Sequence, residues 1–255
     1  MPLTLKTISC LTDNYAFLIH DSATNSTTLV DVPEAAPILA ALSETGWTLS
    51  QILLTHHHPD HVAGVADVVT ATGARVLGAA VDAHRLPTLD AELKEGDTVT
   101  VSSEQGTVLA VPGHTIGHIA FHFPKSKLLF SGDSLMAGGC GRLFEGTPKL
   151  MWSTLTKLSA LPPDTLVCSG HEYTASNLLF AASVDLDNPV LVSRIEDTSA
   201  AVQAGRPTVP SLLSLELATN PFLRAGNPAI AAAIGMPGAS APQVFAALRA
   251  RKDKS

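Results

Sequence analysis

A chain of 255 residues, 45% apolar and 15% charged, is long enough for one large α/β domain or for a core domain with a smaller companion. A net charge of −7 argues against a general nucleic-acid binder. Three dispersed cysteines (Cys10, Cys140, Cys168) without a CxxC argue against a disulfide framework, and no stretch reaches the roughly 18 apolar residues of a membrane span. The opening MPLTLKTISCLTDNY has no secretory pattern, so the expectation is a reducing, cytoplasmic setting away from membranes.

Short β-type runs mark the first two thirds, over residues 4–9, 15–20, 27–32, 51–55, 74–78, 98–101, 106–112, 118–123, 127–132 and 165–170. Helices are predicted between them over 34–46, 60–73 and 148–161; in the second, Val62, Val65, Val68 and Val69 recur at helical spacing. From about residue 174 the pattern turns helical, over 175–184, 188–205, 227–235 and 240–252, with Asn-Pro or Ser at the starts and no convincing strand. The fold class expected is α/β, a mixed domain over residues 1–172 followed by a small all-helical unit over 173–255.

The stretch LLTHHHPDHVAG (53–64) concentrates His56, His57, His58, Asp60 and His61 just after a buried strand. Residues i and i+2 of an extended segment point the same way, so His56 and His58 can face one metal. Asp60 and His61 open a helix and can fan out to a second centre, with the carboxylate favoured at the helix N-terminus. The missing ligands are expected at later strand ends. His114 (VPGHTIGH), Asp133 (LLFSGDS) and His171 (TLVCSGHEY) each follow a strand and a glycine that permits a sharp exit. His20, His84 and His122 lack such partners and are read as core or surface residues. His57 is expected to bond backbone, and His118 is a candidate for supporting a ligand. Cys168 reads as core, and Cys140 sits on a loop that can line the site.

Imidazole and carboxylate donors without thiolate suit zinc, iron or manganese and do not choose among them; the expectation is two divalent ions, zinc ahead of iron or manganese. Asp133 is the natural bridge between two ions roughly 3.5–4 Å apart that share a water of lowered pKa. The expected reaction is metal-assisted hydrolysis, with Asp60 and Asp133 as the carboxylates of the catalytic centre. Glu172 and Tyr173 are the only general-acid candidates beyond the ligands. A thiol of pKa about 8.5 leaves almost unaided, so a thioester fits such a site.

THHHPDH with His114, Asp133 and His171 resembles the metallo-β-lactamase superfamily. PGHTIGH, SGDSLMAGGCGRLFEGT, GHEYTASNLLFA and NPFLR resemble, more narrowly, the glyoxalase II or hydroxyacylglutathione hydrolase family, over nearly the whole chain. The resemblance implies an αβ/βα sandwich followed by a helical domain that binds glutathione. It implies two divalent metals, one on His56, His58 and His114, the other on Asp60, His61 and His171, bridged by Asp133 and a hydroxide. The implied reaction splits S-D-lactoylglutathione, or a related 2-hydroxyacylglutathione, into D-lactate and glutathione, the second step of methylglyoxal detoxification. Glutathione contacts carry over to Arg142, Tyr173, Arg249 and Lys252, with Phe144 where the family often has tyrosine; Ala63 replaces a frequent glycine. Residues 245–255 carry a local charge of +3, and Arg249 and Lys252 are neighbours on one helix face, suited to a dicarboxylate ligand. Val244, Phe245 and Leu248 of that helix are expected to be buried. The partner expected is a small-molecule glutathione thioester, with no nucleic acid or membrane, and the chain is expected to be a monomer.

Three other readings compete. A glutathione persulfide dioxygenase would share the fold but hold a single iron and generally lack the helical extension, and metal count with oxygen uptake separates it. A β-lactamase would leave the basic C-terminal pair unexplained. A metal-stabilised binding module would unfold on metal removal yet hydrolyse nothing.

Overall fold

The computed structural model describes residues 3–254; Met1, Pro2 and Ser255, the outermost residues of the two expected domains, lie outside them. Compactness divides the chain into two units, Met1–Ala110 with Gly117–Gly132, and Val111–Ile116 with Asp133–Ser255.

The first unit holds two sheets. β1 (Thr4–Cys10), β2 (Asn14–Asp21) and β3 (Ser26–Val30) run antiparallel. β4 (Thr48–Leu53), β5 (Arg75–Ala79) and β6 (Ala91–Leu93) then extend the sheet in parallel. Parallel neighbours need crossovers. These are α1 (Ala35–Thr45), and α2 (Pro59–Val62) with α3 (Val65–Thr72). Both α1 and α3 end at a glycine in the left-handed region, Gly46 and Gly73, whose amide returns to the last turn. The second sheet runs β7 (Thr98–Val101), β8 (Glu104–Ala110), β9 (Ile119–Phe123) and β10 (Leu128–Gly132), all antiparallel. β7 packs on β2 and β3, while α1 and α3 cover the first sheet at β1 and β4. Between the sheets Phe130 meets Phe17 at 5.5 Å and Phe123 at 6.0 Å, all three fully or almost fully buried.

The helix expected over 60–73 is broken into α2 and α3. Gly64 donates its amide to Val32 O at 3.0 Å and His61 O accepts from Val32 N at 2.8 Å, so a clamp to the end of β3 interrupts the ladder. β6 is too short and too polar to have carried a strand pattern.

The second unit carries the β11–β12 hairpin (Leu135–Met136, Gly139–Cys140), α4 (Pro148–Ser159), β13 (Leu166–Ser169), α5 (Thr174–Asp185), α6 (Pro189–Gln203), β14 (Ser211–Leu212), α7 (Leu213–Thr219), α8 (Pro228–Ala233) and α9 (Ala241–Lys252). The expected absence of strands beyond residue 174 is corrected by β14, two residues that pair antiparallel with β13. Only register with β13 defines it. Asparagine caps start α6 and α8 with proline following, and a Ser240–Gln243 capping box starts α9. Val244, Phe245 and Leu248 of α9 are fully buried, and α9 packs on α4 with Phe245 5.8 Å from Trp152. No helix among the described residues is long and apolar enough to cross a membrane.

Candidate functional site

In the first unit β4 delivers a histidine cluster. Its final turn is fixed by backbone bonds from Leu54 N to Leu77 O and from Ile119 N to Thr55 O, each 2.9 Å. His56 and His61 are fully buried, with ring centroids 4.1 Å apart. Nε2 of His56 lies 3.2 Å from Nδ1 of His58, so two imidazole nitrogens converge as the i, i+2 spacing predicts. Pro59 starts α2, and Asp60 occupies its first turn. Asn14 Nδ2 donates to both the backbone oxygen and Oδ2 of Asp60, at 3.0 Å each, which orients that carboxylate.

Each buried ring has its far nitrogen held. Nδ1 of His56 is 3.0 Å from Thr55 Oγ1, and Nδ1 of His61 is 2.9 Å from Asp31 Oδ2. An oxygen on one ring nitrogen fixes the tautomer that offers the other nitrogen as a ligand. His118 stacks on His56 at 4.7 Å and bonds Ile119 O through Nδ1. At Gly132 a Cβ would lie 2.7 Å from both His118 Cε1 and Thr55 Oγ1, and φ is +49°, so glycine is required there. His57 has a side-chain partner that the sequence did not suggest: its Nδ1 meets the Asp82 carboxylate at 3.3 Å. His20 stacks on Trp47 and bonds Thr27, burial holding its pKa below the usual range.

In the second unit three further donors converge. Nε2 of His114 is 3.5 Å, and Nε2 of His171 3.2 Å, from Asp133 Oδ2. His114 Nδ1 lies 2.7 Å from the carbonyl of Arg142, the same tautomer-fixing arrangement. At Gly141 a Cβ would fall 1.9 Å from the Asp133 carbonyl, so the chain passes the metal-side residues too closely for a side chain.

His114 and Asp133 form one wall of a cleft of about 400 Å³ whose lining also includes Cys140, Arg142, Phe144, Tyr173, Ser176, Asn177, Arg249 and Lys252. Tyr173 stacks on His171 at 4.6 Å, and the exposed Phe144 sets its ring edge-on to His114 at 5.3 Å. Cys140 lies in β12 rather than on a loop, and burial pushes its thiol up to about 11, so it is no thiolate at neutral pH. Cys168 is buried in β13. Arg249 is buried: Nη1 donates to Cys140 O at 2.8 Å, Nε and Nη2 reach Asp253, and its plane lies 5.1 Å from the Phe222 ring. Lys252 Nζ donates to Ser176 O at 3.2 Å and sits 5.7 Å from the Phe180 ring. Glu172 turns to the chain before β14, where its carboxylate accepts from Thr208 N at 2.8 Å and from Thr208 Oγ1.

Sequence reasoning missed Asp31, Asn14, Glu216 and Asp253. Asp31 stands one residue past β3, a strand end like those of the ligands, but without the glycine that marked His114, Asp133 and His171.

Residues 13–171 match the family model of the metallo-beta-lactamase superfamily, and residues 172–255 that of the hydroxyacylglutathione hydrolase C-terminus. A hydroxyacylglutathione hydrolase of Cereibacter sphaeroides is 65% identical over 254 residues, covering 100% of both chains. The B3 metallo-β-lactamase BLEG-1 shares the fold at a TM-score of 0.68 and 22% identity, over 86% of this chain and 99% of its own. TTHA1623, solved in a di-iron-bound form, aligns at a TM-score of 0.63 and 28% identity, over 86% of this chain and 100% of its own. The His/Asp donors are those of a divalent-metal site. With a metallo-β-lactamase fold followed by that helical C-terminal segment, the chain belongs to the hydroxyacylglutathione hydrolase family.

Proposed function

We propose that the protein hydrolyses S-D-lactoylglutathione and related 2-hydroxyacylglutathiones to the free 2-hydroxyacid and glutathione, the second step of methylglyoxal detoxification. One observation carries this reading: one cleft in the second unit is lined both by the donors His114 and Asp133, with His171 against Asp133, and by the cations Arg142, Arg249 and Lys252. Hydrolytic donors and a dicarboxylate-binding wall are what a glutathione thioester requires.

In this reading His56, His58 and His114 would hold one divalent ion and Asp60, His61 and His171 the other, with Asp133 serving both; zinc is favoured, with iron or manganese alternatives. The donor chemistry fits, because the far nitrogens of His56, His61 and His114 are each paired with oxygen. The bound ions would supply Lewis-acid polarisation of the thioester carbonyl and lower the pKa of water to about 7. The chain's own residues bind and orient. Arg142, Arg249 and Lys252 would take the glutathione carboxylates, while Tyr173 and Phe144 flank the approach to the donors. Glu172 is committed to Thr208, in accord with a thiolate leaving group that needs little proton assistance. Residues 1–172 would thus carry the chemistry and 173–255 most of the substrate grip. The enzyme would act as a cytoplasmic monomer, with no nucleic-acid or membrane partner.

The test is thiol release from S-D-lactoylglutathione alongside elemental analysis. Two metals per chain and turnover are expected, and Asp133→Ala should lose both. Metal-replete protein that releases no thiol would sink the reading. One iron per chain with oxygen uptake on glutathione persulfide would favour the dioxygenase, a reading weakened by the match of residues 172–255 to a hydrolase C-terminus.

A further inference from the structure

We infer that Asp253 is a displaceable clasp on the carboxylate subsite: it occupies the cations that an anionic thioester needs and so weakens the hold on substrate and on glutathione. The inference rests on the function proposed above. One oxygen, Asp253 Oδ1, meets both arginines. It lies 3.1 Å from Arg249 Nε, 2.9 Å from Arg249 Nη2 and 3.5 Å from Arg142 Nε. The two partners are unequal. Arg249 is fastened independently, by Cys140 O on Nη1 and by the Phe222 ring on its face, and its side chain is 7% exposed. Arg142 is 58% exposed and its contact is long, so that half of the bridge is a solvent-screened pair that costs little to part.

Asp253 follows the last residue of α9, where helix carbonyls point outward and a carboxylate is electrostatically unfavourable. Its charge stands against Arg142 and Arg249, two of the cations that line a cleft read as taking carboxylates, and like charges repel. A ligand carboxylate can take the place of the single long contact that Asp253 makes to Arg142, and can add a second prong to it. Exchange of one carboxylate for another leaves the cation paired throughout, so binding is moderated without leaving a bare charge, and product departs by the reverse exchange.

Asp253→Asn tests this, because the amide oxygen can still accept from Arg249 Nε while the charge is gone. Thioester KM and the inhibition constant for added glutathione should both fall, by about two- to fivefold, the size of an exposed charge pair. The gain should shrink at high salt. Asp253→Ser, too short to reach Arg142, is the second variant, and titration of glutathione into the metal-loaded proteins reads affinity without turnover. Unchanged or weakened glutathione binding in variants with wild-type metal content would overturn the clasp and make Asp253 a support for Arg249. A wild-type enzyme that cleaves no glutathione thioester would instead sink the functional reading itself.

Discussion

Asp31 Oδ2 lies 2.9 Å from His61 Nδ1 and accepts from Thr55 Oγ1 at 2.7 Å, so one buried carboxylate orients a proposed ligand and the strand end that precedes His56. Asp31 has φ +57°, a conformation asparagine tolerates. Asp31→Asn should therefore keep the backbone but remove the charge behind the imidazole. Metal affinity is expected to fall about 10–100-fold, as for other partners behind ligating histidines. Competition against a chelator reads this directly, and unaltered affinity would mean that the His61 ring needs no negative charge behind it.

Glu216 is the buried anchor of the β11–β12 hairpin. It accepts from Gly138 N at 2.8 Å, Ser211 Oγ at 2.6 Å and Asn220 Nδ2 at 3.1 Å, and pairs with the buried Arg194. Asn220 in turn holds Gly139 O at 2.9 Å. Glu216→Ala would leave Arg194 as an uncompensated interior charge, at a cost of about 3–5 kcal/mol. Urea unfolding should show that loss as a lower midpoint. Glu216→Gln keeps one of the two acceptor oxygens but turns an NH2 toward donors at the other, so it should lose less stability than the alanine variant yet raise KM, because the hairpin carries Cys140 and leads into Gly141 and Arg142.

Four of the seven proposed ligands were legible from their place after a strand: His56, His114, Asp133 and His171 all follow apolar runs, three of them after glycine. Spacing also revealed the i, i+2 convergence of His56 and His58 and the buried face of α9. What stayed hidden depends on partners distant in sequence. Asp31 and Glu216 look like ordinary acids until Thr55, His61 and Arg194 surround them. The break at Ala63–Gly64 follows from backbone bonds to Val32, and β14 from register with β13, neither of which side-chain periodicity encodes. Arg249 was legible as a cation on the right helix face, but its engagement by Cys140 O and Asp253 was not.

Phe144 lines the cleft with its ring against His114 and is 61% exposed. Burying that ring under a ligand gives apolar contact but offers no hydrogen bond. Phe144→Tyr adds a hydroxyl to a ring that lines the cleft and is largely exposed. KM for S-D-lactoylglutathione should fall by about two- to tenfold, the worth of one net hydrogen bond, with kcat little changed. Steady-state kinetics that show an unaltered KM would mean the hydroxyl stays in water and that Phe144 is a spacer.

Lys252 has a pKa held below its ordinary value of 10.5, first by burial and then by the neighbouring Arg249 charge. The native state therefore sheds this proton at lower pH than the unfolded chain does. Between the depressed pKa and 10.5 the unfolded state binds more protons, so this group's contribution to stability rises with pH across that window. Binding runs the other way, since only the ammonium form can hold a glutathione carboxylate. KM should climb on the alkaline side, beginning below 10.5, while kcat stays flat over the same interval. Lys252→Arg, whose guanidinium keeps its charge above pH 12, should flatten that limb even if its absolute KM differs. A pH series of KM for both proteins decides the matter: an identical alkaline rise in the arginine variant would assign the titration to another group and remove Lys252 from the carboxylate subsite.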